Sequence, residues 1–314
     1  MRIFYNFDET IYHRETIVTV GTFDGVHLGH KSVIKSLLDY SRNEDIRHVL
    51  VTFDPHPQLV LAKENKKPIK ILTTLEEKFQ LLEDLGVENV QIIPFSLDFA
   101  QIKPEIFVKE YLVDKIGINR ILIGYDHLFG QNRSGNYELL QRLGQQFGFS
   151  VDQGKAFSDS DTIISSTRIR NAIEVKNLEL ANQMLGYDYF LLGEIVHGHA
   201  RGAGLGYPTA NVIPLEPEKL IPANGIYFIS AFIGNRKYYG MANVGTRPTF
   251  ENNGKILVEA FFFDFNNDIY DLRIQIEFIK YIREEIKFDN SEQLIEAIKQ
   301  DEVICRNLIN NFLD

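Results

Sequence analysis

A glycine-rich turn near the N-terminus combines two histidines and a lysine in a pattern suited to phosphate chemistry. The segment from Gly21 to Lys31 reads GTFDGVHLGHK. Its glycines let the backbone approach a ligand closely, and a helix start would offer unpaired N–H groups to an anion. His27 and His30 would share one face of the first helical turn and could donate hydrogen bonds to phosphate oxygens. Helix capping and metal binding are the alternatives, although a metal lacks an obvious third ligand nearby.

A second candidate site lies in the C-terminal half, around a glycine-dense loop. Residues 198–206 form this loop, and the sequence PTAN follows at Pro208–Asn211. Such a loop can wrap phosphates with backbone N–H groups and needs no Walker-type lysine. Thr209 and Asn211 supply neutral oxygens two residues apart, which suit a hard cation that bridges nucleotide phosphates. The pattern predicts a Mg²⁺–nucleotide site, and the alternative is a structural turn.

Two further segments place polar side chains where an element begins or ends. Residues 166–168, Ser-Thr-Arg, open a predicted helix and join two hydroxyls, free N–H groups and a guanidinium in a second phosphate-binding arrangement. An ordinary N-cap with a surface arginine is the alternative. After the second predicted strand, Pro55 and Pro57 stiffen a loop, so that Asp54 and His56 project at fixed angles over the sheet edge.

The elements that must position these residues alternate in the first half of the chain. Short β-branched runs are separated by stretches with helical spacing, which predicts a parallel sheet with helices on its faces. Ligands of such sheets bind beyond the carboxyl ends of the strands, so the loops after residues 20, 53 and 123 should be functional. The predicted strands are Ile17–Val20, Val49–Phe53, Val90–Phe95 and Ile121–Gly124, and the helices are Ser32–Tyr40 and Leu75–Leu85.

The second half has a different pattern, with dense glycine and proline between closely spaced strands. A helix at Leu178–Leu185 would precede the change, so we predict domains at 1–185 and 186–314. A terminal helix should run from Ser291 to Phe312. The predicted strands are Ile226–Ile233, Tyr238–Asn243, Ile256–Phe265 and Arg273–Phe278.

Composition limits the classes of protein to consider. With roughly 150 residues per domain, 314 residues also predict two domains. A net charge of -10 disfavours nucleic acid as the main partner. The single Cys305 excludes an intramolecular disulfide and is typical of a reducing compartment. The sequence contains no run near the roughly 20 apolar residues of a membrane span and no secretory signal pattern, which predicts a cytoplasmic protein without a membrane partner.

Four segments of the first half, in order, resemble the adenylyltransferase module of bacterial bifunctional riboflavin kinase/FAD synthetases. The first contains the HxGH signature of nucleotidylyltransferases. The resemblance implies a Rossmann-like domain that adenylylates FMN with ATP to give FAD and pyrophosphate. The segments are GTFDGVHLGH at 21–30, TFDPHP at 52–57, IGYDHLFG at 123–130 and SSTRIR at 165–170.

This resemblance also implies roles for individual residues of the first half. His27, His30 and Arg168 would be catalytic. The flavin would be contacted by Asp54, His56, Asp126 and Phe129. The ATP contacts would be Gly21, Phe23, Asp24, Gly25, Gly29, Lys31, Ser166 and Thr167.

The second half resembles riboflavin kinases through PTAN, NVGTRPTF at 243–250 and VEA at 258–260. The resemblance implies a small antiparallel β-barrel with a terminal helix, which phosphorylates riboflavin with ATP and Mg²⁺. Glu259 would be the base that accepts the proton of the ribityl hydroxyl, and Arg283 would contact the flavin, unless it belongs to a solvated charged face. ATP would be contacted by Gly198, Arg201, Gly202, Gly206 and Pro208, and Mg²⁺ by Thr209 and Asn211.

Two other functions remain open at this point. His127 and Ala203 differ from the residues usual in relatives, so one half could be inactive in adenylylation or in phosphorylation. From another class, a flavin- or nucleotide-binding regulator would keep the pockets without the chemistry. The regulator would bind flavin and form neither FMN nor FAD, and it would have no use for a general base such as Glu259.

Overall fold

The chain divides into two compact units, Met1–Ser166 and Thr167–Asp314. The computed structural model describes residues 1–62, 69–124, 128–131, 134–154, 158–159, 162–197, 207–246, 256–267 and 269–313. The first unit contains a parallel sheet, and the second contains a closed antiparallel barrel. Both architectures confirm the predicted fold class. Besides the barrel, the second unit contains the helix Leu178–Leu185 and all but the first residue of the helix Ser166–Glu174.

The sheet of the first unit has six parallel strands in the order β1-β4-β3-β2-β5-β6. Both of its faces are covered, because alternate residues of the strand Arg47–Asp54 pack on opposite sides. Leu50 packs with the helices Leu28–Glu44 and Leu75–Asp84, and Val51 packs in the layer on the other face. The strands are β1 Arg2–Phe4, β2 Thr16–Val20, β3 Arg47–Asp54, β4 Asn89–Pro94, β5 Ile118–Ile123 and β6 Ser150–Gln153. A two-stranded sheet is formed by β7 Ser158–Asp159 and β8 Thr162–Ile163.

The helices around this sheet agree with the sequence pattern in part. The helix predicted at 32–40 extends from Leu28 to Glu44, and the helix predicted at Leu75–Leu85 ends one residue earlier, at Asp84. The π-helix Phe107–Ile116 and α5 are additional to the predicted elements. The α-helices of the chain are α1 Leu28–Glu44, α2 Pro57–Val60, α3 Leu75–Asp84, α4 Pro104–Ile106, α5 Tyr137–Phe147, α6 Ser166–Glu174, α7 Leu178–Leu185 and α8 Ser291–Leu313.

The second unit is a closed barrel in the order β10-β13-β12-β11-β14-β9. Helix α8 covers part of its outer face, where the fully buried Cys305 packs with Phe228, Met241 and Phe263. The cysteine is therefore a packing residue, although its chain neighbours Val303 and Ile304 are exposed. The strands are β9 Tyr189–Val196, β10 Ala210–Pro214, β11 Gly225–Ile233, β12 Arg236–Thr246, β13 Ile256–Phe262 and β14 Arg273–Arg283.

Candidate active sites

The turn between β2 and α1 has an unusual backbone that buried side chains hold in place. Phe23, Gly25 and Val26 have φ angles of 46°, 83° and 34°. Glycine adopts this left-handed region without strain, whereas phenylalanine and valine do so at a cost. Both apolar side chains are buried in the core with α1 and α3, which offsets that cost. The turn is therefore a preorganised part of the fold.

Asp24 ties this turn to the segment that precedes α3. Its buried Oδ1 accepts hydrogen bonds from the backbone N–H groups of Leu72 at 2.9 Å and Thr73 at 3.1 Å. The N–H of Gly25 donates to Thr73 Oγ1 at 3.0 Å. Ser166 Oγ donates to the carbonyl of Asp24 at 2.9 Å, so this serine, predicted as a helix cap, lies at the start of α6 and holds the turn. Hydrogen bonds that a carboxylate accepts from backbone N–H groups are strong, so those from Leu72 and Thr73 fix the orientation of the Asp24 side chain.

His27 and His30 stack on each other at the start of α1. Their ring centroids are 3.6 Å apart and the planes differ by 16°. His27 is the N-cap of the helix, since its Nδ1 accepts the backbone N–H of His30 at 3.3 Å. His30 Nδ1 is buried and has no hydrogen-bond partner among the described residues. The capping alternative is thus realised for His27, while His30 retains a polar atom that a ligand could satisfy.

Lys78 is a buried cation beside this pair, and none of the sequence motifs indicates it. It is 5% exposed, and its Nζ donates to Thr52 Oγ1 at 3.3 Å. Thr52 in turn donates to the carbonyl of Thr22 at 3.2 Å, within the turn. Burial lowers the pKa of Lys78, and the carboxylates of Asp24 and Asp54 partly offset that effect. The spacing of Leu75, Lys78 and Leu82 places the lysine on the buried face of α3, which was the available sequence signal.

The surroundings of His30 favour its neutral form. Burial lowers the pKa of His30 well below its usual value of 6.5, and the charges of His27 and Lys78 lower it further. A neutral imidazole carries one donor and one acceptor nitrogen. It can therefore donate a hydrogen bond to a phosphate oxygen without first losing or gaining a proton.

This low pKa predicts a pH-dependent stability of the first unit. Below about pH 6.5, His30 binds a proton in the unfolded chain but stays neutral in the folded chain. The free energy of unfolding should therefore fall as the pH decreases. His30→Asn should show a smaller fall between pH 7.5 and 5. The shared effect of His48, whose pKa burial also lowers, cancels in this comparison. Hydrogen exchange of the α1 amides, corrected for intrinsic rates, measures the difference; equal pH dependence in both proteins would contradict it.

The other predicted residues of the first half occupy different environments. Asp54 ends β3 on the exposed surface, and His56 caps α2, because its Nδ1 accepts the N–H of Gln58 at 3.1 Å. Phe129 is 8% exposed and its ring packs in the core beside Phe107, at 6.2 Å between centroids. Its ring therefore stabilises the fold, and its contact with flavin stays a prediction. Asp126 lies outside the described residues.

The barrel brings Asn211 and Glu259 together. They are direct partners in the pairing of β10 with β13. Their chain neighbours Val212 and Val258 are fully buried, so Asn211 and Glu259 point to the opposite, outer face. Residues directly opposite in an antiparallel pair have Cβ atoms about 5 Å apart. The predicted metal ligand and the predicted base are therefore neighbours, and Thr209 directly precedes the strand.

Arg283 lies at the end of β14 and is held by helix α8. Its Nε and Nη2 donate to the two carboxylate oxygens of Asp301 at 2.8 and 2.6 Å. A third donor, Nη1, reaches the carbonyl of Glu284 at 2.8 Å. Asp301 is 3% exposed, so this bidentate pair anchors α8 on the barrel. The sequence pattern indicates the arginine but not this partner, which lies 18 positions later in the chain.

Four predicted ATP contacts of the second half lie outside the described residues, namely Gly198, Arg201, Gly202 and Gly206. Pro208 is described and exposed. Across the described ranges, no group of three or more histidine, cysteine, aspartate or glutamate side chains is placed to hold a metal ion. Within the same ranges, none of the helices has the length and apolar character needed to cross a membrane.

Comparisons with known proteins match the two halves of the chain to two different families. A family model described as FAD synthetase matches residues 9–168, and one described as riboflavin kinase matches residues 185–309. A protein of Listeria monocytogenes is 36% identical over 91% of this chain and 90% of its own. One of Escherichia coli K12 is 34% identical over 92% of this chain and 91% of its own. Both relatives are named bifunctional riboflavin kinase/FMN adenylyltransferase.

The same extent of similarity is found among solved structures. A crystal structure from Streptococcus pneumoniae, described as a macrolide-efflux protein, superimposes with a TM-score of 0.88. It has 32% sequence identity, and the match covers 98% of each chain. The fold of both units is therefore shared with a protein of nearly the same length.

Proposed function

Because the chain belongs to the family of bifunctional riboflavin kinases/FMN adenylyltransferases, we propose that it carries two separate nucleotide sites, one for each reaction. The enzyme phosphorylates riboflavin with ATP to give FMN and ADP. It also adenylylates FMN with a second ATP to give FAD and pyrophosphate. The observation that carries the assignment is that the two family models match consecutive parts of the chain, residues 9–168 and 185–309. The division between the activities is proposed near Gly186, which caps α7 before β9 begins.

For adenylylation, the FMN phosphate itself is the nucleophile that attacks the α-phosphorus of ATP, so the protein positions the reactants and neutralises charge. The rigid turn at 21–27 leads into the N-terminus of α1, and a helix N-terminus favours an anion. His27 and His30 are proposed to donate hydrogen bonds to phosphate oxygens. Lys78 supports them as a buried positive charge beneath the turn. Ser166, Thr167 and Arg168 are kept as proposed phosphate contacts on the basis of the family resemblance.

For phosphorylation, Glu259 is proposed to accept the proton of the terminal ribityl hydroxyl as its oxygen attacks the γ-phosphorus. Asn211 is its direct neighbour on β10, which supports placing the nucleotide phosphates on that side of the base. Thr209 and Asn211 would hold Mg²⁺ together with those phosphates, and their neutral oxygens are of the kind this ion accepts. When bound, Mg²⁺ offsets negative charge on the transferring phosphoryl group.

Product formation over time tests the two activities together. The protein is incubated with riboflavin, ATP and Mg²⁺, and flavins are separated by chromatography. FMN should appear first and FAD after it, since the product of one reaction is the substrate of the other. FMN without FAD would identify an inactive adenylylation site, and FAD only from supplied FMN would identify an inactive kinase. Flavin binding without either product would instead support a regulator.

A further inference from the structure

Asn243 on β12 has no role in the mechanism above, although it is a direct neighbour of the proposed base. In the register of the barrel it pairs with Glu259 on β13 and with Ile226 on β11. Its Oδ1 is buried and has no hydrogen-bond partner among the described residues. A buried acceptor without a donor is unfavourable, so it indicates a place where a ligand supplies the missing bond.

The register places this side chain on the same face as the active-site residues. Asn211, Glu259 and Asn243 are direct partners across three adjacent strands, and direct partners share one face of a sheet. The residues on either side of Asn243, Ala242 and Val244, are buried towards the barrel interior. With strands about 4.8 Å apart, the asparagine lies one strand beyond the base, on the side away from Asn211.

The side chains paired with Asn243 limit which group can donate a hydrogen bond to its Oδ1. An ionised Glu259 carboxylate only accepts hydrogen bonds, and the Ile226 side chain offers no polar hydrogen. The substrate brought to this face by the kinase reaction carries a ribityl chain, a polyol in which each hydroxyl can donate. Once the terminal hydroxyl is at Glu259, the next hydroxyl along the chain is the nearest donor to the adjacent strand.

We propose that Asn243 Oδ1 accepts a hydrogen bond from the ribityl hydroxyl adjacent to the one that is phosphorylated. This rests on the proposed role of Glu259 as the base. The contact gives the bound substrate a direction across the barrel face: nucleotide phosphates towards Asn211, the reacting hydroxyl at Glu259, and the ribityl chain towards β12. Asn243 is thereby a substrate-positioning residue of the kinase site.

The test compares riboflavin with 4′-deoxyriboflavin, which lacks that hydroxyl, in the wild-type protein and in Asn243→Ala. For the wild type, kcat/KM for phosphorylation should be about tenfold lower with the deoxy substrate, as expected for loss of one buried hydrogen bond. For Asn243→Ala, kcat/KM with riboflavin should be about tenfold below that of the wild type. With the deoxy substrate, kcat/KM of this variant should fall little further. The KM for ATP should stay unchanged.

If Asn243→Ala lowered kcat/KM relative to the wild type by the same factor on riboflavin and on 4′-deoxyriboflavin, the proposed contact would be overturned. Asn243→Ser keeps a hydroxyl acceptor and should recover part of the activity, which also guards against misfolding of the alanine variant. Adenylylation of supplied FMN by each variant serves as a control for the rest of the chain. Failure of the Glu259 assignment would be seen separately, as wild-type kinase rates in Glu259→Gln.

Discussion

Replacing His27 with asparagine should lower the rate of FAD formation from supplied FMN by about two to three orders of magnitude, the usual effect of removing one donor to a developing negative charge. Riboflavin phosphorylation should stay at the wild-type rate, because that chemistry is assigned to the barrel. The imidazole at this position stacks on His30 at the start of α1, beside the turn proposed to bind phosphates.

Asparagine is the informative replacement because His27 also has a structural role. Its Nδ1 caps α1 by accepting the N–H of His30, and asparagine is among the best residues for that position. His27→Asn thus removes the imidazole and keeps the cap, whereas His27→Ala removes both. If the cap alone were important, the asparagine variant would make FAD normally and the alanine variant would be the less stable protein.

The measurement is the initial rate of FAD release from FMN, ATP and Mg²⁺, with the rate of FMN release from riboflavin measured in parallel. His13→Asn is the matched control, because this histidine is exposed and outside the proposed site. Loss of both activities in His27→Asn would contradict separate sites. An unchanged FAD rate would remove the histidine from the mechanism.

Replacing Glu259 with glutamine should lower riboflavin phosphorylation by about two to four orders of magnitude, the range typical of general-base catalysis. Glutamine has nearly the same shape and keeps one acceptor oxygen, but it cannot take up the hydroxyl proton at neutral pH. The pairing with Asn211 across β10 and β13 should survive, because it depends on backbone hydrogen bonds. The loss should therefore fall on kcat more than on the KM for either substrate.

Glu194→Gln is the matched control for this change. Glu194 is an exposed residue of β9 in the same barrel, so its replacement tests the effect of removing one carboxylate from this unit. Both variants should adenylylate supplied FMN at the wild-type rate. Normal FMN production by Glu259→Gln would rule out this residue as the base, and a loss of FAD formation from supplied FMN would indicate a wider structural defect.

Contiguous segments were predictable from the sequence because their physical causes are local. The glycines of the turn at 21–29 and the helical spacing after it are enough to predict a strand, a turn and a helix start. The alternation of strands and helices predicted the parallel sheet, and the dense turns of the second half predicted short antiparallel strands. The ends of elements differ from the prediction: α1 begins four residues before the predicted start, since His27 provides its cap.

The sequence by itself therefore determined the order of the motifs, the two kinds of unit and the chemical types available in each. Only the tertiary structure decided which distant residues meet. Lys78 lies beneath a turn more than fifty positions earlier in the chain. Asp24 Oδ1 accepts hydrogen bonds from the backbone N–H groups of Leu72 and Thr73. The neighbours of Glu259 follow from the register of three strands, which is set by packing of the barrel interior. Such pairings depend on non-local packing and leave little trace in a linear pattern.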